Sequence, residues 1–316
     1  MLTASQLSYD SSGYYNLKIK ENTMEVFMQL VVSGILTGVS YGVLASGLAL
    51  IFGVMKIINF AHAAFAVLAM YLPAFWFLEW WGIDPFISAF IAIPIFFGIG
   101  YVLQRTLIIK VLGTAEAESS TLILTLGFSL LIENLILLIW SGSPRIINLP
   151  YTLATWAVGD VLINKAQTYS LFISLLLILG LFLFLNRTLI GKGIRAAADD
   201  PEGCAYMGIN LPFVYAVAFG LGIAITAAGG CLMATYRPFN PFYGESIVII
   251  LFASVVLGGM NSITGAVIGG LIIGLVQQLS TLVVPVAVQN VAVFAIFVLC
   301  LYVLPQGILG KKGRMV

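Results

Sequence analysis

Residues 119–140 read SSTLILTLGFSLLIENLILLIW. The run is apolar almost throughout, with Glu133 and Asn134 as its one polar break. At a rise of about 1.5 Å per residue, a helix of this length crosses the roughly 30 Å hydrocarbon core of a bilayer. Similar continuous runs recur along the chain, where a transmembrane barrel would show alternating stretches of about ten residues. In lipid, backbone groups must find partners within their own segment, so continuous runs predict membrane-spanning helices.

Composition points the same way. The 316 residues are 61% hydrophobic and 9% charged, with a mean hydropathy of +1.08. Ordinary soluble domains are roughly 45–50% apolar, and this chain lacks the polar residues to cover a water-facing surface. Fourteen basic and thirteen acidic residues leave a formal charge of +1, so nothing suggests a nucleic-acid partner. Cys204, Cys231 and Cys300 are far apart and form no CxxC pair, which reads as buried small apolar residues.

Apolar segments fall near 27–54, 60–81, 86–108, 119–140, 169–186, 213–235, 244–259, 262–283 and 286–304. The expected fold is an all-α polytopic membrane protein with about 8–10 transmembrane helices. Segment 244–259 is short, and 27–54 is long and punctuated by glycines, so either is a place for a broken or re-entrant element. Lysine and arginine gather around 105–118, 187–195 and the end of the chain (Lys311, Lys312, Arg314), which puts those regions on the cytoplasmic side. The loops 79–85, 141–168 and 236–245 are poorer in basic residues, and Trp76, Trp80, Trp81, Trp140 and Trp156 cluster near those outer ends. By this count the segment at 27–54, if it crosses once, starts outside. Three regions result: a polar tail over 1–26, one transmembrane domain over 27–310 with a cytoplasmic loop at 187–212, and a basic cytoplasmic tail over 311–316. The first tail does not fit a cleaved signal peptide and reads as flexible, surface-lying or extended.

Hydrophobicity cannot draw helices together inside lipid, so small residues must permit close backbone approach. Gly34, Gly38 and Gly42 form one ridge at every fourth position; Gly265, Gly269, Gly270 and Gly274 form another. Either serves an internal contact or a seam with another chain, and the internal contact is the preferred reading.

Few polar groups remain in the spans. Glu133, beside Asn134, reads either as a pathway group or as a helix-packing group. Asn59 sits where it can satisfy free N–H groups at a helix start. His62 is the single histidine, reads as a packed neutral side chain, and cannot build a multi-histidine metal site. Asn240 and Glu245 lie in RPFNPFYGE (237–245), where two prolines and a glycine interrupt the helices. That segment is either an ordinary outer loop or backbone facing a passage.

The loop GKGIRAAADDPEGCAYMGI (191–209) predicts two short helices with a bend between them, Asp199 or Asp200 capping the second and Pro201 at its first position. Such a rigid, partly apolar knob suits docking to an ATP-driven partner. The chain itself has no GxxxxGK[ST] loop, HExxH, paired carboxylates or Ser-His-Asp set, so it does not read as an enzyme, and no cofactor is expected in it. An ion-coupled carrier would usually show more ionisable groups in its spans, and Glu133 alone keeps that class open.

Three ordered blocks now carry a resemblance. GVLASGLALIFGVMKIINFAHAAF (42–65), the loop at 191–209, and VVLGGMNSITGAVIGGLIIGL (255–275) with LPQGILG (304–310) resemble the high-affinity branched-chain amino acid permease family, the LivH-like inner-membrane subunits of ABC importers. The resemblance covers roughly residues 27–310. It implies a bacterial or archaeal cytoplasmic membrane and four partners: a homologous second permease, two cytoplasmic ATPases and an extracytoplasmic solute-binding protein. The family's Asn-Phe-Ala-His signature corresponds to Asn59, Phe60, Ala61 and His62; the glycine that commonly follows is Ala63, and a proline position near the last block is Thr264. The family's cytoplasmic loop corresponds to Gly193–Ile209, which makes Gly193, Arg195, Asp199, Asp200, Pro201 and Gly208 the candidates for ATPase coupling. Because related permeases resemble one another, the substrate implied is a branched-chain or other neutral amino acid, with urea or short-chain amides as the alternative.

Overall fold

The computed structural model describes residues 4–113, 116–159, 161–285, 288–304 and 306–310, with side chains from residue 24 onward except at Pro73. Among these residues every one of the nine apolar segments contains helix. Seven helices are long and apolar enough to cross a membrane: Met24–Met55, Ala61–Trp81, Pro85–Leu112, Ala117–Trp140, Lys165–Arg187, Leu211–Ala234 and Ile263–Ser280. Two shorter apolar helices, Tyr243–Gly258 and Gln289–Val303, complete the set.

The first crossing lies in α1 (Ala4–Met55), which is unbroken. The glycines of 27–54 therefore do not interrupt the helix; they face its neighbours. The backbone of the segment read as a polar tail continues α1 back to Ala4, while the side chains of residues 1–23 and all of 311–316 lie outside the described residues.

The second crossing is α2 (Ala61–Ala69), a π-helical stretch (Met70–Trp76) and α3 (Phe77–Trp81). Pro73 lies in the π-helical stretch, and a proline there has no N–H for the regular ladder. The third is α4 (Pro85–Leu103), a second π-helical stretch (Gln104–Ile108) and α5 (Ile109–Leu112). Then come α6 (Ala117–Trp140), a hairpin of β1 (Thr155–Val158) and β2 (Val161–Asn164), and α7 (Lys165–Arg187). The hairpin was not read from the sequence. It is followed by α8 (Leu189–Asp199), α9 (Pro201–Tyr206), α10 (Leu211–Ala234), α11 (Tyr243–Gly258), α12 (Ile263–Ser280) and α13 (Gln289–Val303).

Helices α1 and α10 form the centre. Leu44, Leu48, Ile51, Phe219 and Ile223 are buried between the layers. The peripheral α6 and α7 turn Ile123, Leu138, Phe172 and Phe182 outward, which is where the excess apolar composition goes: toward lipid. Close packing rests on glycine. Gly270 and Gly274 of the second ridge meet the first in an antiparallel α1–α12 seam, while Gly265 and Gly269 pack on Gly258 and Ser254 of α11. In the seam a methyl at Gly38 would stand 2.7 Å from Leu271 Cα and one at Gly34 2.9 Å from Leu275 Cα. Gly47 meets the Gly222 carbonyl on α10, and Gly100 of α4 lies 3.0 Å, by the same measure, from Gly220 Cα. Both ridges thus serve contacts within the chain.

The helix ends sort into two groups. At one end the hairpin, the 82–84 turn and the 235–242 loop come together: Arg145 and Phe239 exchange backbone hydrogen bonds, and Gln29 binds both backbone groups of Leu162. Trp76 packs on Trp80 and Trp140 there. At the other end lie Lys56, the α8–α9 loop, the 259–262 turn and residues 307–310, which bond back to Leu257 and Gly258. This end carries Lys56, Arg187, Lys192 and Arg195, so the regions expected from their basic residues to be cytoplasmic gather together there.

Candidate functional site: a lateral groove and a cytoplasmic knob

Three elements enclose a groove of about 360 Å³ in the spanning region. Helix α2 contributes Phe60, Ala63, Ala64 and Val67, one face of a helix by spacing. From α6 come Leu126, Ser129, Leu130, Glu133 and Ile136, again at helical intervals, and from α11 Gly244, Glu245, Val248 and Ile249. With Pro241 of the outer loop at one end, the walls are apolar except for Ser129 and two carboxylates. Glu133 is half-buried, Glu245 is exposed, and their charges act on one another.

The other candidates fall elsewhere. Asn134 is exposed on the adjacent face of α6, its Nδ2 donating to Leu130 O at 2.7 Å. Asn59 is buried at the mouth of α2, where its Oδ1 accepts from Ala61 N at 3.1 Å. Phe60 N next to it donates to Thr125 Oγ1 at 3.3 Å, which ties α2 to α6. His62 points away from the groove into the core. Its Nε2 is 3.1 Å from Leu44 O and 2.6 Å from Thr226 Oγ1, so it joins α1, α2 and α10. A carbonyl only accepts, so this geometry calls for a proton on Nε2. Asn240, half-buried in the outer loop, has no partner for its Oδ1, although its carbonyl accepts from Tyr243 N. Ala63, in place of the usual glycine, sits in regular helix and lines the groove.

At the cytoplasmic end the loop folds as two short helices. Thr188 Oγ1 caps α8 by accepting from Gly191 N at 2.9 Å. Of the two aspartates, Asp200 caps α9, its Oδ1 accepting from Gly203 N at 2.9 Å; Pro201 follows at the first helical position. Asp199 ends α8. Ile194 and Ala197 face inward, and a methyl at Gly191 would run into Phe184 O, so α8 lies hard against the end of α7. Gly208 (φ +79°) reverses the chain into α10. Leu189, Tyr206 and Met207 project outward, more than four-fifths exposed, and Leu189 lines a shallow surface groove with Lys192. Gly193 makes only an ordinary contact with Val214.

Sequence reasoning passed over two connections. Lys56 Nζ donates to Asn261 Oδ1 at 2.9 Å, and Tyr41 OH donates to Gln277 Oε1 at 2.7 Å, with Gln277 Nε2 continuing to Asn290. Both join residues more than two hundred positions apart. The one local signal for the first is a lysine placed directly after a long apolar run.

Among the described residues no group of His, Cys, Asp and Glu is arranged to hold a metal ion. The chain matches the family described as "Branched-chain amino acid transport system / permease component" over residues 30–303. It is 31% identical over 299 residues to the high-affinity branched-chain amino acid transport system permease protein LivH of Escherichia coli (strain K12), which covers 90% of this chain and 96% of that one. It is 29% identical over 297 residues to BraD of Pseudomonas aeruginosa, with the same coverage. A probable LivH of Methanocaldococcus jannaschii is 28% identical over 249 residues, 75% of this chain and 76% of that one. No solved structure matches. The chain belongs to the family of branched-chain amino acid transport permeases: it is a multi-pass membrane transport subunit.

Proposed function

We propose that the groove between α2, α6 and α11 is this chain's half of a translocation pathway for branched-chain amino acids, and that the α8–α9 knob is the contact with an ATPase. The chain is the permease subunit of an ABC importer. A homologous permease faces it across the pathway, two ATPases bind below, and a solute-binding protein delivers substrate to the end that carries the hairpin.

One observation carries the substrate reading: two carboxylates, Glu133 within a span and Glu245 in the first turn of α11, line a groove that is otherwise apolar but for Ser129. A charge at membrane depth is costly and faces protein or water. A branched-chain amino acid matches both chemistries, its ammonium toward Glu133 and Glu245 and its side chain against Val67, Leu130 and Val248. Two like charges near one another also gain from a cation between them. Urea and amides carry no charge and would leave the carboxylates without a purpose.

The test uses the complete transporter in vesicles, with ATP-driven uptake of leucine and of urea measured side by side. Glu133→Gln with Glu245→Gln is expected to lower leucine uptake about tenfold or more, the scale of one lost charge contact. Unchanged leucine uptake in the double variant would remove the groove from the pathway. Urea uptake by the wild type that survives both substitutions would favour the amide reading. Uptake driven by an ion gradient in vesicles holding this chain alone would replace the ATP-driven reading altogether.

A further inference from the structure

We infer that Lys56 is the link through which movement of the α8–α9 knob reaches the groove. The inference rests on the proposed roles of knob and groove. Helix α1 ends at Met55, and Lys56 takes a left-handed backbone (φ 55°), which side-chain-bearing residues rarely adopt. Its N–H closes the helix on Phe52 O at 2.8 Å. The turn this creates aims the side chain at two other elements.

One is the turn between α11 and α12, where Asn261 Oδ1 accepts from Nζ at 2.9 Å. The other is the end of α8, where Asp199 lines the same cavity as Asn261 and its charge is felt by the ammonium. The Lys56 ammonium, bonded to the turn that follows α11, therefore also lies within the electrostatic reach of the last residue of the knob's first helix. Its own backbone leads, three residues later, to Asn59, which holds the start of α2, and then to Phe60, which is bonded to Thr125 of α6. All three groove walls are tied to this point: α2 through Asn59, α6 through Thr125, α11 through Asn261.

The surroundings leave room for motion. A cavity of about 290 Å³ separates α8 from the ends of α1 and α12, lined by Gly53, Val54, Arg195, Asp199, Asn261 and Thr264. Packed cores transmit displacement, while an unfilled space lets one element shift against another. When an ATPase moves α8, Asp199 moves with it, and Lys56 carries that shift to the cytoplasmic ends of α2 and α11. Lys56 is a positioning residue in this scheme and touches no substrate.

Lys56→Gly removes the ammonium and suits the left-handed turn better than lysine does, so it separates the link from folding. The complete transporter is assembled with each variant, and three quantities are read: subunit composition, ATP hydrolysis stimulated by loaded binding protein, and leucine taken up per ATP. Lys56→Gly is expected to keep composition and hydrolysis and to lose about tenfold in uptake per ATP, within the ordinary range of coupling between sites. Asp199→Asn is expected to show a smaller loss of the same kind, and Lys56→Arg to retain most coupling. Wild-type uptake per ATP in Lys56→Gly would overturn the link. So would loss of assembly and hydrolysis together, or an equal loss in Lys56→Arg, since both mark a merely structural lysine. A wild-type preparation that transports without ATPase subunits would instead overturn the proposed function on which the link rests.

Discussion

Gly38 of α1 lies so close to Leu271 of α12 that a methyl group on the glycine would stand 2.7 Å from Leu271 Cα and 2.8 Å from its carbonyl oxygen. Both obstacles are backbone, so no rotamer change makes room, and the helices must part. Gly38→Ala is expected to cost about 1–3 kcal/mol through overpacking. The same substitution at Gly98, where a methyl would meet nothing within 4 Å, should be neutral or slightly stabilising, since alanine favours helix. Thermal unfolding in detergent checks both. An unchanged midpoint in Gly38→Ala would mean that the seam is looser than these distances require.

The outer face has its own fastening. Tyr151 OH donates to Asp84 Oδ2 at 2.6 Å, while Asp84 Oδ1 caps α4 through Phe86 N at 2.8 Å. Burial, and then the bond to Asp84, push the Tyr151 phenol up from its ordinary value of 10. The raised value means that folding favours the neutral phenol. Its stabilisation is complete below pH 10 and falls as pH rises toward the folded-state value. Tyr151→Phe should therefore cost about 1–2 kcal/mol at pH 8, as for a bond to a charged acceptor. The gap to the wild type should close as pH passes 10. A gap that stays constant from pH 8 to 11 would refute the assignment.

The knob supplies a third expectation. Asp200→Ala removes the cap of α9, at a local cost of about 1 kcal/mol. Tyr206 and Met207 are 88% and 83% exposed on the same short helix and its end. Met207→Glu and Tyr206→Glu should leave the permease folded and reduce the ATPase recovered with it on purification. Full recovery with both substitutions in place would move the docking surface elsewhere.

The helices themselves were legible because lipid imposes one rule on every crossing, a continuous apolar run with its backbone bonds satisfied internally. The two-helix form of 189–206 was equally legible, since Asp200 and Pro201 are local signals that act within one turn. The Thr155–Asn164 hairpin was not read, although Gly159 (φ +61°) stands at its turn, because its apolar runs 156–158 and 161–163 are only three residues long beside spans of about twenty. The π-helical stretches at 70–76 and 104–108 also escaped. They adjust the ladder to neighbouring helices and leave the apolar pattern unchanged.

Among the polar residues, Glu133 was conspicuous at once, but its place was undecided between pathway and packing. Glu245, more than one hundred positions later, completes the picture only when α11 folds beside α6. Asn134, adjacent in sequence, points to another face, as a turn of 100° per residue requires.

By itself the sequence determined that this chain lives in a membrane, that its crossings are helices, and that it resembles one family of transport permeases. Those conclusions depend on composition, on run length and on motifs within a few residues, all of which act locally. Tertiary structure decided which helices the glycine ridges meet, that Glu133 and Glu245 share a groove, that His62 turns into the core, and that Lys56 bonds Asn261 in the α11–α12 turn. Each of these is a contact between distant segments. Apolar periodicity fixes which face of a helix is buried, and only the packing of one helix against another fixes what that face meets.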